Sequence, residues 1–202
     1  MRTPRNCEGE GSGWGTIEDV TLHPLLLSGP SRAPLAELTA QALGRRHRPT
    51  LVVRGGLFPG IDAARAGHEI HPELVHAFGR EGAASAAPKV AAGLDVPLLL
   101  SLDEADVAGP LPRRLRQAIE GADAVILTTG KAAELLRAAE IKRDLYVIAE
   151  PNAAELPTYF GALEVVYGRV LAGTELEYEA PAPAQGAPAL VQLGGLKKSR
   201  PE

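Results

Sequence analysis

Three acids close an apolar run in the stretch PLLLSLDEAD at residues 97–106: Asp103, Glu104 and Asp106. Carboxylates this close can hold a magnesium-bound water, or one of them can take a proton from a substrate hydroxyl as a general base. Upstream, His68, His71 and His76 bracket Glu69 and Glu73, and imidazoles beside carboxylates are the raw material of metal sites and acid–base pairs. The turn SGPSRAP contributes Ser28, Gly29 and Ser31. At a strand-to-helix junction its amides can receive an anion or a hydroxyl.

Each chemistry needs partners. Nucleotide hydrolysis requires a G-x-x-x-x-G-K-[ST] cradle, whose amides and lysine neutralise the phosphates. The only Gly-Lys followed by a small residue is Gly130-Lys131-Ala132, and it has Val125 where the first glycine belongs. His68 and His71 lie three apart beside Pro72, in a segment that reads as a loop, so they are expected to be exposed and not to ligate a metal. His76 sits inside LVHAF near its carboxyl end. A lone strand histidine is ordinarily a hydrogen-bonded core residue. No G-x-S-x-G elbow is present, and the one glycine of SGPSRAP makes no dinucleotide fingerprint.

The elements that must position these residues follow from periodicity. Short runs, most of them apolar at every position, mark strands at Leu25–Leu27, Leu51–Val53, Leu74–Ala77, Val96–Leu102, Ala124–Thr128 and Leu145–Ala149, buried on both faces. Helical patterns fall between and after them at Pro34–Gly44, about Gly82–Gly93, Leu111–Gly121, Lys131–Glu140 and Thr158–Leu171. Pro34 suits a first turn, Gly44, Gly93 and Gly121 suit helix stops, and Pro88 predicts a kink or a late start. Alternation of strand and helix gives an α/β fold: a Rossmann-like doubly wound parallel sheet with helices on both faces. Ligands of such sheets lie outside the carboxyl ends of the strands. Three groups then share one edge: Ser28–Ser31, His76–Gly79 and Asp103–Asp106.

Residues 55–72, GGLFPGIDAARAGHEIHP, read as a long glycine-containing loop. Residues 1–15 are expected to be a disordered tail and 16–175 one α/β domain. Residues 176–188 read as a Pro/Ala linker, and 189–202 as one new strand and a turn, the vestige or start of a second domain. The net charge of -4 and the absence of a basic stripe argue against a nucleic-acid binder. Cys7 is the only cysteine, so there is no disulfide framework. No apolar stretch approaches the roughly 20 residues that span a bilayer, and residues 1–15 lack the apolar core expected of a signal peptide. The expected location is the cytoplasm, free or peripheral to a membrane.

Three consecutive stretches resemble the N-terminal domain of family 4 glycosyltransferases of the two-domain GT-B fold. HPELVHAFGREGAASAAPKVAAGLDVPLLLSLDEAD is similar to that family's D-V-V-H-A-H-G, Ala-rich helix and G-I-P-L-V-L-T-x-H region. IEGADAVILTTGKAAELLRAAEI is similar to its A-D-x-V-I-x-x-S segment and following helix, and DLYVIAEPNAAEL to its V-I-P-N-G-V-D strand end. Together they cover about residues 72–156, with weaker support from LLLSGPSRAPLAELTAQALGRRHRPTLVV.

The resemblance implies an acceptor-side domain. A nucleotide sugar would be a co-substrate only where a donor domain, expected to come from elsewhere, completes the site, and LVQLGGLKK resembles the opening of that domain with Gly195 at the arginine. No firmly bound cofactor and no metal are implied. The partners would be a carbohydrate or lipid-linked acceptor and a donor-domain chain or a second copy. His76 matches the first histidine of H-A-H, and Phe78 replaces the second. Asp103 stands where the family has its strand-end histidine, which makes it the candidate base, with His76 beside it. Pro151 and Asn152 match P-N, with Ala153 and Glu155 in place of the glycine and aspartate. Ser28, Gly29, Ser31, Gly79, Asp106 and Asn152 would contact the acceptor. The alternative is a non-catalytic binding or assembly module on a degenerate glycosyltransferase scaffold.

Overall fold

A computed structural model describes residues 21–55, 59–152, 154–172 and 191–193. The expected tail and linker lie outside these residues. Seven strands form one sheet in the order β2-β1-β3-β4-β5-β6-β7. The first six are parallel: β1 Leu25–Ser28, β2 Thr50–Val53, β3 Val75–Phe78, β4 Leu98–Leu102, β5 Ala124–Leu127 and β6 Leu145–Val147. β7, Val191–Leu193, pairs antiparallel with β6, so the strand read near 189–202 extends this same sheet.

Strand alternation divides the core into two layers. Leu25, Leu27, Val75, Ala77, Leu100 and Val125 point to one face, under α2 (Pro59–Ile70), α3 (Ala87–Leu94), α5 (Arg113–Gly121) and α6 (Gly130–Ala138). Leu26, Phe78, Leu99, Ile126 and Tyr146 point to the other, under α1 (Ala33–Leu43) and α7 (Leu156–Ala172). Both faces are covered, which is why β1, β3, β4 and β5 are apolar at nearly every position. The fold is the expected Rossmann-like doubly wound α/β sheet.

Two local expectations are corrected. The stretch 55–72 is not a loop, because residues 59–70 form α2, with His68 on the helix and His71 just past its end at φ 48°. Small residues make its packing face: Ala63 is fully buried, a Cβ on Gly67 would come within 2.5 Å of Leu94 Cδ1, and one on Gly60 would come within 3.0 Å of the Ala86 Cβ. The glycines permit close helix packing here and do not break the helix. At the end of α3 the left-handed residue is Asp95, at φ 55°, and Gly93 lies inside the helix. Pro88 acts as a late start: a 3-10 helix over Gly82–Ala86 precedes it, and α3 begins at Ala87 with the proline in its first turn.

The strand order reverses between β1 and β3, the usual position of a ligand crevice. Here backbone fills it. Gly82, at φ 58°, packs on Gly29, the Ala83 N–H donates to the Arg54 carbonyl at 2.9 Å, and a Cβ on Gly29 would lie 2.8 Å from the Glu81 carbonyl oxygen. The open part of the carboxyl edge is displaced toward β4, β5 and β6.

Candidate functional site

A cavity of about 430 Å³ opens over those strand ends, lined by Arg32, Asp103, Glu104, Thr128, Thr129 and Glu150. Arg32 closes a 3-10 turn at Pro30–Arg32, which carries its guanidinium from the end of β1 across to β4 and β6. There it pairs with Asp103 Oδ2, lies 3.6 Å from Asp106 Oδ2 and donates to Glu150 Oε1 at 2.8 Å. Gly79, at φ 76°, leaves room for its stem, since a Cβ there would sit 2.8 Å from Arg32 Cγ.

Asp103 begins the short helix α4, Glu104–Val107, through a reciprocal cap. Asp103 Oδ1 accepts from the Asp106 N–H at 2.7 Å, and Asp106 Oδ2 accepts from the Asp103 N–H at 3.1 Å. Both oxygens of Asp103 are thus engaged, one by backbone and one by a guanidinium. Burial holds the Asp106 carboxyl above its usual range, and the nearby Arg32 and Arg80 offset only part of that. Glu104 pairs with Lys131, and Thr129 caps α6 by accepting from the Ala132 N–H at 3.2 Å. The lining is therefore rich in carboxylate and hydroxyl oxygens around one guanidinium. Such a surface can accept from and donate to sugar-like hydroxyls.

Several expected site residues lie elsewhere. His76 is fully enclosed in the α1/α7 layer, where Nδ1 meets the Tyr167 hydroxyl at 2.8 Å and Nε2 meets Ser101 Oγ at 2.7 Å. Burial lowers its pKa to about 3, so the ring is neutral. It is the core residue its strand position indicated and has no access to the edge, which removes it from the catalytic set. Ser28 is fully buried and donates to the Gly29 carbonyl at 2.8 Å, and Gly29 lies beneath the Glu81 backbone. Neither can meet an acceptor. Ser31 is exposed, outside the cavity lining.

Asn152 closes the turn that leads into α7. Its Oδ1 accepts from the Ala154 and Glu155 N–H groups at 2.9 and 3.2 Å, while Glu155 Oε2 accepts from the Asn152 N–H at 3.0 Å. Asn152→Ala is expected to cost about 1 kcal/mol in urea unfolding and to leave ligand binding unchanged. Binding lost at unchanged stability would return Asn152 to the site.

Of the expected residues, the structure brings together Asp103 and Asp106 with Gly79 beside them. Sequence reasoning missed Arg32, Thr128, Thr129 and Glu150. Arg32 directly follows the Ser28–Ser31 turn, and the other three follow β5 and β6, so the rule that ligands sit at strand carboxyl ends points to all four. Among the described residues no group of three or more His, Cys, Asp or Glu is placed to hold a metal ion, and no helix is long and apolar enough to cross a membrane.

No protein-family model matches the chain, and no curated protein matches it. Among solved structures, a UDP-N-acetylglucosamine 2-epimerase is similar with a TM-score of 0.49 and 13% identity, over 63% of this chain and 48% of that one. The chain spans about half the length of that neighbour.

Proposed function

We propose that this chain is a glycosyltransferase-like, acceptor-side domain of GT-B type, with family 4 the group its segments resemble. In this reading it binds a carbohydrate or carbohydrate-bearing acceptor over the ends of β4, β5 and β6. Sugar transfer then requires a nucleotide-sugar domain on another chain or another copy. The observation that carries the reading is the cavity itself: carboxylate and threonine oxygens around Arg32, at the carboxyl edge of a parallel sheet. The three resembling stretches also follow the chain in order through β3, α3, β4, β5, α6 and β6.

A second reading, a non-catalytic binding or assembly module, is favoured by one observation. Asp103, the only acid standing at the family's strand-end position, has both oxygens occupied by the α4 cap and by Arg32. The test is to assay the full chain with a panel of nucleotide sugars and sugar acceptors, alone and with the products of adjacent genes. Under the first reading Asp103→Asn lowers transfer by at least about a hundredfold, the low end of the effect expected for a lost general base. Transfer that survives the substitution unchanged makes Asp103 structural, and absence of transfer and donor hydrolysis in every pairing leaves the binding module.

A further inference from the structure

A second cavity, of about 330 Å³, is lined in part by the Gly79–Arg80 turn and shares no lining residue with the first. Its floor is Leu100 of β4, and Ala84 of the 3-10 helix and Leu115 and Ala118 of α5 are its apolar walls. Its polar side chains are Arg80, Arg114, Glu81 and Ser85, all exposed. One part of the lining is methyl and methylene groups, and another carries two guanidiniums beside the single carboxylate of Glu81.

The arginines are not explained by the stability of the helix that carries them. Arg113 and Arg114 occupy the first turn of α5, where the helix dipole opposes positive charge, and no acid is present there to compensate. Neither makes an ion pair among the described residues. Arg80 is held weakly, 4.0 Å from Asp106 Oδ1 and donating to the Asp106 carbonyl at 3.4 Å. Apolar surface that reaches a sheet residue, beside Arg114 without an ion pair among the described residues and a weakly paired Arg80, matches a ligand with the same two parts.

We propose that this cavity binds an anionic amphiphile, a phosphate or carboxylate on a single hydrocarbon chain. The chain lies over Leu100 between the 3-10 helix and α5, and the anion meets Arg114 and Arg80. The proposal does not rest on the acceptor reading, because the first cavity can be empty or inert without affecting the second.

Calorimetric titration of the full-length protein tests it, with dodecyl phosphate, dodecanoate, dodecyl maltoside and inorganic phosphate, each below its micelle concentration. The two anionic amphiphiles are expected to bind at one saturable site. The neutral maltoside and bare phosphate should each bind at least about tenfold more weakly, since each lacks one half of the recognition. Binding by only one of the two anions identifies the headgroup. Arg114→Glu, at an exposed position, and Ala118→Phe, which fills the cavity, should each weaken binding by at least about tenfold. The proposal is overturned by the absence of saturable binding, by equal affinity for the neutral and anionic amphiphiles, or by an unchanged affinity in Arg114→Glu. The last outcome decides even if Ala118→Phe fails to fold.

Discussion

Between pH 7.5 and 4.5 the protein loses about 3 kcal/mol of stability through His76 alone, at up to about 1.4 kcal/mol for each pH unit. Burial holds the folded-state pKa of this imidazole at about 3, against an ordinary value of 6.5. In the unfolded chain the ring takes up a proton as the pH falls through 6.5, and in the folded chain it stays neutral until about 3. The unfolded state therefore binds more protons across this window, and stability must fall as the pH falls. The contribution is fully present above pH 6.5.

The cause is local. Leu26, Phe78 and Leu99 share the layer in which His76 is enclosed, and its two nitrogens are taken by Tyr167 and Ser101. His47, also lowered mainly by burial, adds to the same slope, so the measurement has to isolate His76. Urea unfolding of the parent and of His76→Gln, from pH 7.5 to 4.5, does this. The variant can still hydrogen bond but cannot titrate, and its deficit should shrink by about 3 kcal/mol across the window. Parallel profiles would show that His76 is not the neutral, buried ring described above.

The second large effect belongs to Arg32. Arg32→Met keeps much of the stem beside Gly79 but leaves Asp103, Asp106 and Glu150 without their common cation. Removing one partner of a fully buried ion pair costs about 3–5 kcal/mol, and an exposed pair contributes at most about 1 kcal/mol. The Arg32 side chain is 18% exposed, Asp106 12% and Glu150 48%, which places the expected loss at about 2–3 kcal/mol at pH 7. The pH dependence supplies the control. Without the guanidinium, burial raises the Asp106 carboxyl further above its unfolded value. A carboxyl raised on folding favours the folded state once it is protonated, so the deficit narrows as the pH falls toward 4. A deficit constant from pH 7 to 4 would mean that Arg32 acts through packing.

The sheet was legible because its strands are buried on both faces and so carry uninterrupted runs such as Leu25–Leu27 and Leu98–Leu100. Helix α2 was not, because its buried face is Ala63, Gly67 and neighbours too small to register as a hydrophobic stripe. The site was half legible. Asp103 and Asp106 lie at the carboxyl edge, but their roles in a reciprocal cap depend on which backbone N–H each reaches. Ser28 and His76 were assigned to the edge by position along the chain, whereas pleating turns both side chains into the core. Arg32 becomes visible only when β1 is known to lie inside the sheet next to β3, with the following turn carrying the side chain across to residues after β4 and after β6.

That reach also bears on the order of folding. The Arg32–Glu150 bond joins residues 118 positions apart, and it can close only after β1, β3, β4, β5 and β6 have been laid side by side. Loop-closure entropy places such contacts late on the folding route. The cavity is then completed after the barrier, and loss of Arg32 appears as faster unfolding with a nearly unchanged refolding rate. The ion cluster is a late clasp on an already assembled sheet, and how slowly it opens sets how long the carboxyl edge keeps its shape.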